Sequence, residues 1–188
     1  MPTARLILCA CVVVAGTAIR VPSESDAGKE DLPFLGSPPP QELQVFADRI
    51  GEWTSKWEVR PNIQNREGFT ATGQATGKWI HNRHFLRMEG TSTSSKFREE
   101  SSVLYGYDAS KKVYRRWLFT SSGLASEAEG HWDEAKRTMT WKALNLPAGV
   151  TGTITEVHEK DRIQTTVLIK RNDGQVLTDL TVVATRKK

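Results

Sequence analysis

Beyond Gly51 the chain alternates. Trp53, Ser55, Trp57 and Val59 fall on one side of an extended backbone, with Thr54, Lys56 and Glu58 on the other, and Ile163, Thr165, Val167 and Ile169 repeat the pattern. Segments of this kind, each bounded by turn residues, predict strands over 52–60, 67–75, 78–80 running on into 85–91, 96–107, 112–121, 124–133, 138–143, 150–158, 162–170 and 175–186, with 78–80 readable as the end of the preceding strand. No later stretch has the length and 3.6-residue period of a crossover helix. Neighbouring strands must therefore be joined by hairpins, which makes the sheet antiparallel and meandering. Ahead of it, Leu43, Phe46, Ala47 and Ile50 fall at i, i+3, i+4 and i+7, one apolar stripe on a short amphipathic helix that Gly51 ends. Such a helix must bury its stripe on something larger. The expected fold is all-β: an antiparallel meander closed into a barrel of about 8–10 strands, with one N-terminal helix plugging an end or lying along the wall. A two-sheet sandwich is the alternative, but its crossings need longer connections.

The turns repeat. Asp108 opens one before Trp117, Asp133 opens a second before Trp141, and residues 158–162 form a looser third. An Asp at the head of a tight turn can accept a backbone N–H two residues on and hold the bend. Asn172-Asp173-Gly174 is a further hairpin signal. The densest stretch, "YGYDASKKVYRRWLFTSS" from Tyr105 to Ser122, then reads as a hairpin and not as a catalytic cluster. Its apolar face is Val113, Trp117 and Phe119 with Leu104, expected to point inward. Tyr105, Tyr114 and Arg116 form an amphipathic face whose stems cover surface while the tips stay wet.

Composition adds a compartment. Arg5, the apolar run Leu6–Val14 and the small residues 15–18 read as a secretory signal over 1–18, too short to span a membrane. Residues 19–40, rich in Pro, Ser and charge, read as a flexible lead to a domain at 41–188. The expectation is export, to the periplasm or beyond, with no transmembrane segment in the mature chain. Cys9 and Cys11 both lie in the signal, and neither sits in a good lipobox, so no lipid anchor, disulfide or thiol ligand is expected. The net charge of +4, spread over paired lysines and arginines at turns, is no nucleic-acid signature.

Candidate chemistry is sparse. Glu127, Glu129 and His131 alternate on one strand face. Turned inward they would form a proton-handling triad, and with Arg116 they are the polar candidates for an enzyme at the barrel mouth. The apolar residues Leu124, Ala128 and Trp132 opposite favour the outward reading. His81 and His84 lie in a turn without carboxylates in ligand spacing, so no metal and no cofactor is expected. The tryptophans are the best ligand signal: Trp57, Trp117 and Trp141, with Phe119, are the candidate ligand-binding residues, and Trp53 and Trp132 read as core.

Gly51-Glu52-Trp53, opening the first strand after a short helix, resembles the Gly-x-Trp signature of lipocalin-like (calycin) barrels, in which a C-terminal arginine, here Arg186, would pack on the tryptophan. The blocks "GEWTSKWEV", "HFLRMEG", "YGYDASKKVYRRW", "EAEGHWDEAKRTMTW" and "VATRKK" together resemble a bacterial family of proteins of unknown function, number 1579, frequent in planctomycetes. Where that family carries Gly-Gly-Arg, this chain has Asn82-Arg83-His84, and Asn82 can still take the left-handed bend. The resemblance implies an exported lipocalin-like barrel and no particular reaction. The expected function is binding of a small hydrophobic or amphipathic ligand. The alternatives are an enzyme at the barrel mouth and a cell-envelope interaction module whose protein partner the sequence does not name.

Overall fold

The computed structural model describes residues 38–188 apart from Gln64; the expected signal and most of the expected lead lie outside the described residues. Ten strands follow one another as β1 (Gly51–Val59), β2 (Phe69–Ile80), β3 (Phe85–Thr93), β4 (Arg98–Asp108), β5 (Val113–Thr120), β6 (Ala125–Asp133), β7 (Thr138–Leu144), β8 (Val150–Glu159), β9 (Arg162–Arg171) and β10 (Val176–Arg186). Each pairs antiparallel with the next, and β10 returns to β1 to close the barrel. Trp53 pairs with Arg186 and Val59 with Leu180 along that seam. Residues 78–80 belong to β2, as the pattern allowed.

The Asp-headed turns form as expected. The Asp108 carboxylate accepts the Ser110 and Lys111 amides, both at 3.1 Å, and the Ser110 hydroxyl at 2.6 Å. Asp133 accepts the Lys136 amide at 3.1 Å. These hydrogen bonds hold both carboxyls below their ordinary range, first through Ser110 for Asp108 and through the Lys136 amide for Asp133. At the turn between β2 and β3 the left-handed bend extends over three non-glycine residues, His81, Asn82 and Arg83, and is not confined to Asn82.

One end of the barrel is closed by the helix Gln41–Arg49. It is wound as a 3₁₀ helix, where the sequence pattern predicted an α-helical stripe. Three residues per turn bring i, i+3 and i+6 onto one line. Leu43, Phe46 and Arg49 are therefore the buried residues, and Ile50 becomes the cap. Arg49 thus enters the barrel, which the 3.6-residue reading missed. Phe46 is fully buried, with ring centroids 4.9 Å from Tyr105, 5.5 Å from Tyr114 and 6.2 Å from Trp141.

The helix is tied to the wall at its exit. The Trp53 indole donates to the Arg49 carbonyl at 3.1 Å, and the Arg186 guanidinium lies 4.7 Å from the Trp53 ring centroid while donating to the Asp48 and Ile50 carbonyls. This is the Trp–Arg contact the Gly-x-Trp resemblance implied. Gly77 on β2 makes the approach possible. A Cβ there would sit 2.0 Å from the Arg49 carbonyl oxygen and 2.6 Å from the Met88 sulfur. Gly77→Ala is expected to destabilise the domain by about 1–3 kcal/mol through this overpacking. Urea unfolding followed by tryptophan fluorescence checks it, and an unshifted midpoint would show that the helix does not seat as described.

Candidate functional site

Strand register sorts the side chains. Tyr105 pairs with Leu86 and with Arg116, and Arg116 pairs with Ala128; these are inward positions. Leu104 pairs with Trp117, and Trp117 with Glu127; these are outward. The face expected to line the interior of β5 is therefore reversed. Trp117 and Phe119 lie on the outer wall, Phe119 at 46 % exposure, and Tyr105, Tyr114 and Arg116 point inside. The outer face is stable because its apolar bodies are paired. The Trp117 indole donates to Glu127 at 2.9 Å, the Arg115 guanidinium lies 5.9 Å from its ring, and Phe85 packs beside it.

Glu127 and Glu129 also face outward, where both bind Arg115, the latter at 2.5 Å. His131 is exposed on the same face. The polar triad accordingly forms a surface ion-pair cluster on the outer wall and does not reach the interior. Of the ligand candidates, Trp57 points inward and is half-buried, and Trp141 points inward and is fully buried.

The interior holds a different polar cluster. On β8, Gly152, Ile154, Glu156 and His158 alternate inward, against Thr151, Thr153, Thr155 and Val157 outside. Arg49 from the helix donates to Glu156 at 2.6 Å, with the two side chains 7 % and 2 % exposed. The Trp141 indole donates to the same carboxylate oxygen at 2.9 Å. The Arg49 guanidinium also contacts His158 Nε2 at 3.1 Å and lies 4.8 Å from the Tyr105 ring centroid. A guanidinium only donates, so His158 Nε2 accepts and the proton resides on Nδ1. Trp132 meets the imidazole edge-on at 5.1 Å.

The electrostatics follow from this packing. Burial alone would raise the Glu156 carboxyl; the Arg49 charge beside it, with the Arg116 charge adding to it, outweighs burial and holds the group at about 2. Burial lowers His158, and Arg49 adds to the effect against the opposing pull of Glu156. Burial likewise raises the Tyr105 phenol, opposed by Arg49. At neutral pH the cluster is one carboxylate, two guanidiniums and neutral His158 and Tyr105.

Glu156 and His158 were not singled out from sequence. Their spacing, Glu-x-His, is the same as Glu129-x-His131. The signal that separates the two is the company each keeps: Glu156 shares its face with Ile154 and is backed by threonines, whereas Glu129 is backed by Ala128, Gly130 and Trp132.

The barrel is filled unevenly. Next to the helix, Leu43, Phe46, Leu86, Tyr105, Met139 and Trp141 are buried. Beyond this cluster, the inward-facing Trp57, Leu118, Leu180 and Val182 remain only half-buried, as do Val103 and Val167, which pack against its edge. Small residues on β2 face the same space: Ala71, Gly73 and Ala75. Outside, a groove of about 730 Å³ runs past Glu52, Glu89, Glu100 and Lys187; it is open, polar-rimmed and separate from the interior cluster.

Comparison with solved structures returns barrels. The chain is similar to Rv2717c from M. tuberculosis (TM-score 0.61, 10 % identity, covering 80 % of this chain and 99 % of that one). It is also similar to the S-type phycobiliprotein lyase CPES from Guillardia theta (TM-score 0.57, 13 % identity, covering 78 % and 93 %). At these identities the likeness is one of fold. A search of curated protein sequences returned no match. The model of the family DUF1579, described as proteins of unknown function, matches residues 38–186, which span the cap helix and all ten strands, and the chain belongs to that family.

Proposed function

We propose that this barrel binds a small hydrophobic or amphipathic ligand in the half of its interior away from the helix. The observation that carries the reading is the partial exposure of Trp57, Val103, Leu118, Val167, Leu180 and Val182, which point at the barrel axis and still keep accessible surface. Close-packed interiors leave few voids larger than a water molecule. Apolar side chains that face inward and stay half-exposed therefore border a space that the described residues do not fill, and small concave apolar spaces are where ligands bind. The helix and the buried cluster close one end, so a ligand would enter from the other. The outward placement of Glu127, Glu129 and His131 removes the support for an enzyme built on them.

Native mass spectrometry of the protein purified from its host tests the binding reading. A co-purifying small molecule, or a saturable shift of Trp57 fluorescence with added amphiphiles, is expected. A bare mass together with no binding of any amphiphile would overturn it. Export to the periplasm or beyond is part of the proposal and rests on the pattern of residues 1–18. The intact mass of the mature protein should lack that segment, and retention of the full chain in the cytoplasm would count against it.

A further inference from the structure

The interior carries an imbalance of charge and of donors. Arg49 has Glu156 as its counter-ion. Arg116, also inward, joins no carboxylate in an ion pair among the described residues. Its sequence neighbour shows the contrast: Arg115 points outward and is held by Glu127 and Glu129 together. The inward residues adjoining Arg116 are Tyr114 and Leu118 on its own strand, Tyr105 across β4 and Ala128 across β6, none of them acidic. Glu156 acts on it only through space, being already bound by Arg49 and Trp141. Burying a guanidinium without an opposite charge is costly.

Hydrogen bonding points the same way. Four buried side-chain atoms among the described residues lack a partner: Arg87 Nε on the outer wall and, inside, Arg49 Nε, Arg116 Nε and His158 Nδ1. Arginine Nε is always a donor, and His158 Nδ1 carries the proton by the argument above. The interior therefore has donors to spare and no spare acceptor in that set. Arg49 and His158 are sealed, at 5 % and 2 % exposure, whereas Arg116 is half-buried and on the accessible side.

We propose that Arg116 seats the anionic end of the ligand, so that the barrel takes a monoanionic amphiphile: a carboxylate on an apolar chain, its head against Arg116 beside the Tyr105 hydroxyl and its chain along Val103, Leu118, Val167 and Leu180. The inference rests on the binding reading above and adds the class of ligand. A guanidinium presents paired N–H groups that match a carboxylate. The carboxylate supplies the missing charge together with two acceptor oxygens for the guanidinium, whereas an uncharged alcohol offers an oxygen without the charge and a cation of the same length offers neither.

Isothermal titration of the full barrel domain with decanoate, decanol and decyltrimethylammonium tests it, alongside Arg116→Gln. The wild type is expected to bind decanoate roughly tenfold or more tighter than decanol, the effect of one charged hydrogen-bonded contact, and the cation weakest. In R116Q decanoate is expected to fall to the level of decanol. Equal binding of the three probes by the wild type overturns the anion seat and leaves the binding reading standing. An R116Q variant that keeps its preference for decanoate overturns the role of Arg116. Loss of decanol binding in R116Q marks a disturbed interior and also counts against the seat; Arg116→Lys, which keeps the charge, is expected to retain part of the preference. If no probe binds, the binding reading itself falls.

Discussion

Replacing Arg49 by methionine is expected to destabilise the domain by about 3–5 kcal/mol, the effect of leaving one partner of a buried ion pair uncompensated. The orphan is Glu156, 2 % exposed and left with the Trp141 indole and a neutral imidazole. Its carboxyl must then either stay charged in an apolar surround or take up a proton. Urea midpoints from pH 7 to pH 3 separate the contributions. The Glu156 carboxyl is at about 2 in the folded chain, below its ordinary 4.5, so its stabilisation is complete above 4.5 and is lost as pH falls toward 2. The shift corresponds to about 3 kcal/mol. His158 is lowered from 6.5, so protons bind the unfolded chain first and stability also declines as pH falls below 6.5. The wild type should lose stability in both windows. Arg49→Met should start lower at pH 7 and flatten below 4.5, because its Glu156 no longer has a depressed pKa to lose. Equal acid slopes in the two proteins would refute the pairing. The double variant Arg49→Met with Glu156→Gln should recover much of the loss, since a matched neutral pair removes the unbalanced charge.

Phe46→Ala is the second large effect, about 3–5 kcal/mol. The ring is fully buried and touches Tyr105, Tyr114 and Trp141, so its loss opens a cavity between the cap helix and the barrel floor. Most of the other anchors of the helix gather at its exit, where Trp53, Arg186 and Glu156 hold it. Its N-terminal residue Pro40 makes no side-chain cap, and a 3₁₀ helix of this length has little stability of its own. Urea unfolding monitored at Trp141 and Trp53 should show the midpoint shift. Phe46→Leu, which keeps most of the volume, should cost much less. Equal losses in the two variants would mean that the ring packing is not what seats the helix.

Much of the architecture is readable from alternation. β1 and β9 carry their inward sets on one parity, and the Asp108 and Asp133 turns announce their hairpins. Strand β5 is ambiguous because both of its faces carry large amphipathic side chains: Trp117 and Phe119 on one, Tyr114, Arg116 and Leu118 on the other. Hydrophobicity favours the tryptophan as the inward residue. Cross-strand chemistry decides otherwise, since the outward Trp117 finds Glu127 and Arg115, and the inward tyrosines find Phe46. That second set depends on the cap helix, 59 or more residues earlier in the chain (105 − 46 = 59), and no local pattern contains it. The Arg49–Glu156 pair has the same origin, joining residues 107 positions apart. Trp57 is readable as inward from the alternation of β1, whereas Arg116, a polar candidate from sequence, falls on the face of β5 expected to be wet, and its inward placement is given only by the register with β4 and β6. The partners that give Arg116 its meaning could not be named from sequence.

The seam between β1 and β10 has a consequence for how the molecule assembles. Nine of the ten ladders join successive strands and can form hairpin by hairpin as the chain becomes available. The tenth joins the two ends of the domain, where Lys187 and Glu52 meet across 135 positions. Closing so long a loop costs chain entropy before its contacts repay it. The meander therefore gathers early and the seam zips late, with Trp53 reporting the final event because its ring is covered by Arg186 only once the last strand arrives. Until then both flanking strands present unpaired edges, the state in which one chain can accept the terminal strand of another in place of its own.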